Sequence, residues 1–232
     1  MKKFLDILYP PRCPVCHQIL PWKAVLVCPD CENKLHPVVK DYCMKCGRPV
    51  RADEELCREC GQKNREFDQG RGVFLYNNKM KRSLLYYKYY GSREYGEYYA
   101  VSICRYMRTA ICTWNPDVIL PVPMHPRKQR ERGFNQAADL AFKIGQKLQI
   151  PTADGIMIKT KITKSQKKLN AAERKRNLRE AFQVTERMDG LRILVIDDVY
   201  TTGSTIEAAA RALKHAGAER VFFVTLCIGQ IW

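Results

Sequence analysis

The segment Ile193–Thr205, ILVIDDVYTTGST, holds the residues best suited to chemistry. Four apolar residues predict a buried strand. Asp197 and Asp198 follow at its carboxyl end, where open α/β sheets place their ligands. Paired carboxylates suit two vicinal ribose hydroxyls, and they can balance an oxocarbenium-like centre or a metal, so they are the candidate catalytic pair. Val199, Tyr200, Thr201, Thr202, Gly203, Ser204 and Thr205 then form a hydroxyl-rich loop that leads into a helix. Gly203 permits a tight turn in which successive N–H groups converge on an anion, and the helix N-terminus adds partial positive charge. The pattern suits a sugar phosphate. A plain strand-to-helix turn capped by Ser or Thr leaves the two adjacent acids unexplained.

Upstream lies LPVPMHPRKQRERGFNQA. A short strand ends at Pro121, and the loop Val122–His125 is expected beside the phosphate turn at the sheet's carboxyl edge. Arg127, Lys128, Arg130 and Arg132 cluster with Gly133 before a helix. The multiple charges of a pyrophosphate fit such a set, since Arg binds them bidentately. His125, Arg127 and Arg132 are assigned to the phosphorylated ligand. A further basic stretch, TKSQKKLNAAERKRNLREAF, reads as a lid, a nucleic-acid surface or both. The candidate DNA-binding residues are Arg127, Lys128, Arg130, Lys164, Lys167, Lys168, Arg174, Lys175 and Arg176. The alternative DNA site lies near the cysteines, at Lys34, Lys40, Lys45 and Arg48. Solvated basic surface is the plainer reading of either stretch.

Eleven cysteines are present, eight of them in CxxC pairs: Cys13/Cys16, Cys28/Cys31, Cys43/Cys46 and Cys57/Cys60. A CxxC turn puts two thiolates on one side of a knuckle, and two knuckles supply the tetrahedral shell zinc prefers. Eight ligands imply two structural zinc ions. A disulfide set is the alternative, disfavoured in a reducing compartment. Sequential pairing of knuckles closes the shorter loops and is favoured over interleaved pairing. With almost no apolar core of its own, such a module should fold on metal. His17 and His36 are read as bystanders, and Cys104, Cys112 and Cys227 as core residues.

These residues need elements to hold them. Strands are expected at Gly72–Tyr76, Asp117–Pro121, Arg192–Ile196 and Arg220–Leu226. Helices are expected at Met80–Tyr90, Tyr95–Ile111, Asn135–Leu148 and Thr205–Ala216. The alternation implies an α/β fold with a mostly parallel sheet covered on both faces. Residues 1–62 form the cysteine module, 63–71 a polar linker and 72–232 the α/β domain. The tyrosines between Tyr86 and Tyr99 fit a helix packing its aromatic face better than a stacking platform for single strands. The chain of 232 residues carries a formal net charge of +16 and is 46% apolar, which favours polyanionic partners: nucleic acid, phosphorylated metabolites or an anionic membrane face. The apolar run at the N-terminus is broken by Asp6, Pro10 and Pro11, so a signal peptide is rejected and a soluble cytoplasmic protein is expected.

The segment Ile193–Thr205 resembles the phosphoribosyl pyrophosphate (PRPP) motif of the type I phosphoribosyltransferases, which runs as four apolar residues, two acids and a threonine-glycine-threonine loop. That resemblance implies that Asp197 and Asp198 hold the ribose hydroxyls, that Thr201–Thr205 wrap the 5′-phosphate, and that magnesium rides on the pyrophosphate. Joined with the CxxC-rich N-terminus, YKYYG at Tyr87–Gly91, Pro121–Ala137 and the pattern Thr163, Gln166, Leu169, Arg174, Asn177, the chain resembles the ComF family of competence-associated proteins. The family implies single-stranded DNA handling in natural transformation, beside a helicase-like motor, recombination-loading proteins and the inner face of the membrane. An active phosphoribosyltransferase and a PRPP-sensing regulator are the competing functions. The short chain after the last strand leaves little for a base pocket, and no helix-turn-helix is evident.

Overall fold

The computed structural model describes residues 10–21, 26–160 and 181–230. Its centre is a four-stranded parallel sheet in the order β1–β6–β5–β2: β1 (Gln69–Leu75), β2 (Val118–Pro121), β5 (Arg192–Tyr200) and β6 (Arg220–Ile228). A small antiparallel pair, β3 (Met157–Lys159) and β4 (Phe182–Val184), stands apart from it. The helices are α1 (Pro29–Glu32), α2 (Arg58–Gln62), α3 (Asn78–Tyr89), α4 (Tyr95–Trp114), α5 (Pro126–Arg132), α6 (Gln136–Leu148) and α7 (Ser204–His215).

The two central strands are apolar along most of their length because both faces are covered. Leu194, Ile196, Phe222, Val224 and Leu226 pack with α3, α4 and α6. Ile193, Val195, Val221 and Phe223 point the other way, toward α7 and the β3–β4 pair. Most buried tyrosines belong to the first layer, as the helical spacing predicted: Tyr87, Tyr95, Tyr98 and Tyr99 are core, whereas Tyr89 and Tyr90 are exposed.

Three boundaries differ from expectation in ways that matter. Strand β5 runs on to Tyr200 because β6 stays beside it, pairing Asp197, Val199 and Tyr200 with Thr225, Cys227 and Ile228. The two acids therefore lie within the strand. Strand β1 starts at Gln69, inside the stretch expected as linker; Phe67 before it is fully buried, and the Asp68 amide donates to the Val221 carbonyl at 2.7 Å. The basic residues after Pro121 sit on a helix, α5, with Pro126 in its first turn and His125 capping it through Nδ1, which accepts from the Arg127 amide at 3.2 Å. Of the isolated cysteines, Cys227 is buried and Cys104 half-buried, but Cys112 is exposed on α4 and is no core residue.

The cysteines gather as sequential pairing requires. Cys13, Cys16, Cys28 and Cys31 form one group, and Cys43, Cys46, Cys57 and Cys60 the other, each with its sulfurs within 4.8 Å of one another. Cys16 and Cys28 Sγ lie 3.7 Å apart, as do Cys46 and Cys57. Zinc–sulfur bonds of about 2.3 Å put tetrahedral sulfurs about 3.8 Å apart, whereas a disulfide needs about 2.05 Å. Both groups fit zinc. Neither histidine joins them: His36 is exposed, while buried His17 has Nδ1 3.0 Å from the Tyr95 hydroxyl and stacks on Tyr86.

The ribbons are not self-contained. Cys13, Val15, Leu20, Cys31 and Leu35 continue the α3–α4 layer, and Ser83 on α3 donates to the Pro14 carbonyl. Val38, Cys43 and Cys46 continue the opposite layer. Gly47, at φ 74°, lies so close to β1 that a Cβ would come within 2.7 Å of the Arg71 Cα. One metal-dependent knuckle pair thus completes each side of the sheet. Chelating zinc from the full chain is expected to lower the melting temperature of the whole protein in one cooperative calorimetric transition. An α/β-domain transition that keeps its temperature while a separate ribbon transition vanishes would contradict the shared cores.

Candidate functional site

Strand β5 delivers Asp197 and Asp198 to the sheet's carboxyl edge with only 8% and 6% of each residue exposed. Two adjacent charges buried in this way need compensation. Successive residues of a strand face opposite ways, so the acids meet different neighbours. Lys88, in the last turn of α3, forms an ion pair with Asp198 Oδ2. Gln136 Nε2, at the start of α6, donates to Asp198 Oδ1 at 3.5 Å. The Asp198 amide donates to Asp197 Oδ1 at 2.8 Å.

These contacts split the pair. Burial pushes Asp197 well above the usual carboxylate range, and the Asp198 charge adds to that. Burial also works on Asp198, but the Lys88 ammonium and hydrogen bonds from Asp197 and Gln136 outweigh it and hold this carboxyl below the usual range. Asp198 therefore contributes stability above the ordinary range that is lost as pH falls through its depressed value. Asp197 does the reverse: its contribution is lost as pH rises through its elevated value.

The loop after β5 turns at Gly203, where φ is 76° and a Cβ would fall 2.4 Å from the Tyr200 hydroxyl. Thr201 and Thr202 are exposed, and the Thr202 and Ser204 hydroxyls lie 2.8 Å apart in front of α7. The loop thus presents hydroxyls at the start of a twelve-residue helix, whose Ser204 amide donates to Thr202 Oγ1 at 3.4 Å. Thr205 is half-buried in the first turn of α7, and Val199 is half-buried in the strand. Tyr200 is a correction: its ring is buried and stacks on Phe223 at 4.7 Å, with Phe67 edge-on, so its side chain serves the core and not a ligand.

The basic set divides. Arg132 donates to Gln136 Oε1 at 3.0 Å and to the Tyr89 hydroxyl, which puts it one hydrogen bond from Asp198. Arg127 is exposed and pairs with Glu131, and Lys128 and Arg130 are exposed on the same helix. His125 caps that helix. Lys164, Lys167, Lys168, Arg174, Lys175 and Arg176 lie outside the described residues. In the cysteine-proximal set, Lys34 and Lys40 are exposed and Lys45 is half-buried, but Arg48 is 2% exposed and unable to meet a DNA phosphate.

Three residues were missed. Lys88 stands within YKYYG, where a charge among tyrosines is its sequence signal. Asn135 ties α6 to the loop after β2, its side-chain amide donating to the Val122 carbonyl at 3.1 Å while its oxygen caps Ala137. Lys159 on β3 is half-buried; burial and the nearby Lys128 lower its pKa while Asp197 pulls it back up. It lines an open cleft of about 490 Å³ walled by Pro123, Met124, Asn135, Met157 and Ile158.

Replacing Lys88 with Met strands the Asp198 charge. Urea unfolding is expected to lose about 3–5 kcal/mol, and Lys88→Met combined with Asp198→Asn should lose less than Lys88→Met alone. A single-mutant loss under about 1 kcal/mol, the range of an exposed pair, would show that the ion pair is not what compensates the acids.

The chain matches two family profiles, "Double zinc ribbon domain" over residues 4–61 and "Phosphoribosyl transferase domain" over residues 105–230. It is 31% identical to competence protein ComFC of Bacillus subtilis, with 86% of this chain and 85% of that one covered. Competence protein F of Haemophilus influenzae is 26% identical over 95% of both chains. DNA utilization protein YhgH of Salmonella typhimurium is 29% identical over 94% of this chain and 97% of its own. Paired cysteine knuckles built onto a parallel sheet whose central strand carries two acids near its carboxyl end and leads into a hydroxyl loop, together with these relatives, place the chain in the ComF family, phosphoribosyltransferase-like proteins with an N-terminal double zinc ribbon.

Proposed function

We propose that this protein binds PRPP with magnesium at Asp197, Asp198 and the Thr201–Thr205 loop, and single-stranded DNA on the adjoining basic surface, in the service of DNA uptake and use. The names of its relatives, competence and DNA utilization proteins, support the setting. One observation carries the ligand: two buried acids near the carboxyl end of β5 are followed, after Val199 and Tyr200, by a hydroxyl loop with exposed Thr201 and Thr202 at the N-terminus of α7. That order suits a ribose 5-phosphate, with its hydroxyls toward the acids and its phosphate on the amides. Both acids are already engaged in the strand and by Lys88, so magnesium would ride on the pyrophosphate rather than on them. Arg132, Arg127 and His125, on and before α5, would take the pyrophosphate side. Two zinc ions would hold the ribbons.

Lys128 and Arg130, exposed on α5, contribute to that basic surface, and the proposal includes Lys164, Lys167, Lys168, Arg174, Lys175 and Arg176 on chain outside the described residues. No helix among the described residues is long and apolar enough to cross a membrane. A cytoplasmic protein that meets a helicase-like motor and a recombination-loading protein at the inner membrane face fits this reading. Residues 1–62, 63–71 and 72–232 would serve as ribbon module, connector and ligand-binding domain, although strand β1 begins before residue 72. The cleft beside Lys159 favours a second reading, transfer of the phosphoribosyl group to an acceptor bound there. Pyrophosphate release from labelled PRPP, with and without DNA, separates transfer from binding alone.

Calorimetry of the full chain with magnesium–PRPP is expected to show binding that Asp197→Asn with Asp198→Asn abolishes, and that Thr202→Ala with Ser204→Ala weakens. Unchanged affinity in folded variants would refute the site. Phosphate contacts release counterions with a log–log salt slope of about −0.7 each on single strands, so Lys128→Gln with Arg130→Gln should flatten the slope by roughly 1.4 units. An unchanged slope would remove α5 from the DNA surface.

A further inference from the structure

The second ribbon reaches the phosphate loop through one buried side chain. Arg48 follows the Cys43–Cys46 knuckle and is 2% exposed. Its Nη1 donates to Glu59 Oε2 at 3.1 Å, and Glu59 lies between Cys57 and Cys60 of the opposing knuckle. Its Nη2 donates to the main-chain carbonyl of Thr201, and the guanidinium sits 5.2 Å from the Tyr200 ring centroid. A guanidinium cannot shed its proton, so once buried it must find acceptors. Here one acceptor belongs to the ribbon and the other to the loop.

The position of that second acceptor matters. The Tyr200 carbonyl still accepts from the Gly229 amide at 2.7 Å, the last sheet contact of the strand. Thr201 therefore offers the first carbonyl beyond the sheet. The peptide unit is planar, so fixing this carbonyl also fixes the direction of the Thr202 N–H and the path of the loop after it. The far end of the loop is tied to the same ribbon. Arg65 Nη2 donates to Glu59 Oε2 at 3.0 Å, and Arg65 also stands 3.9 Å from Glu207 in the first turn of α7. Glu207 in turn accepts the Glu66 amide at 3.1 Å.

We infer that Arg48 is a positioning residue through which the Cys43–Cys46–Cys57–Cys60 group holds the Thr201–Ser204 loop in its ligand-ready shape. The inference rests on reading that loop as the phosphate site. The first ribbon acts elsewhere, on α3, whose Ser83 it contacts and whose Lys88 meets Asp198.

Hydrogen exchange of the full chain without ligand tests the coupling directly. Arg48→Ala should speed exchange of the Thr201–Thr205 amides by roughly tenfold, the equivalent of one hydrogen bond to a charged group. Zinc content and α6 exchange should stay unchanged. Arg48→Lys keeps the charge but not the two-sided bridge and should fall between wild type and Arg48→Ala; it also serves as the test if the Ala variant does not fold. PRPP affinity should drop in the same order. Wild-type exchange in a folded variant, or acceleration spread equally over α6, overturns the inference. If the loop amides accelerate selectively but wild-type protein binds no PRPP, the coupling stands and the ligand reading fails.

Discussion

Two neighbouring carboxylates inside a parallel strand set the terms for the rest of the molecule. A strand flanked on both sides has no water to solvate a charge, so Asp197 and Asp198 persist only if protein supplies the compensation. Lys88 does most of this for Asp198, with Gln136 beside it, and Asp197 is left favouring its neutral form. The ammonium must come from a helix that ends at the sheet's carboxyl edge, and α3 ends there. The amide must come from the first turn of a helix beside β2, and α6 starts there, tied by Asn135 to the Val122 carbonyl.

The ribbons extend the same logic outward. A ribbon of knuckles and turns has too few apolar residues to fold alone, and each one here completes a layer of the sheet. The first presses on the helix that brings Lys88. The second presses on the strand and loop that would cradle the phosphate. The two sulfur groups are thus joined, through packing and hydrogen bonds, to α3 and to the Thr201 carbonyl.

Much of this was legible in the residues. The cysteine spacing predicted two four-sulfur groups and, through loop length, favoured the sequential pairing that the structure has, and the run from Ile193 to Thr205 located the acids and the loop. Strand β5 nonetheless ran four residues further than expected, because polar letters read as a strand end while pairing with β6 kept Asp197 through Tyr200 in the sheet. Tyr200 looked like a loop residue for the same reason and is core. Lys88 hid in a tyrosine run whose helical face is buried. Arg48 looked like any basic residue near a knuckle, and no local pattern marks a side chain whose partner is 153 positions away. The β3–β4 pair escaped because each strand is three residues long and its partner is distant in sequence.

The central claim is that the acids and the hydroxyl loop form one ligand site. A structure of the full chain with PRPP and magnesium tests it most directly. The 5′-phosphate is expected within hydrogen-bonding distance of the Thr201–Thr205 amides and hydroxyls, with the ribose hydroxyls on Asp197 and Asp198. PRPP bound elsewhere, with that loop unengaged, would contradict it.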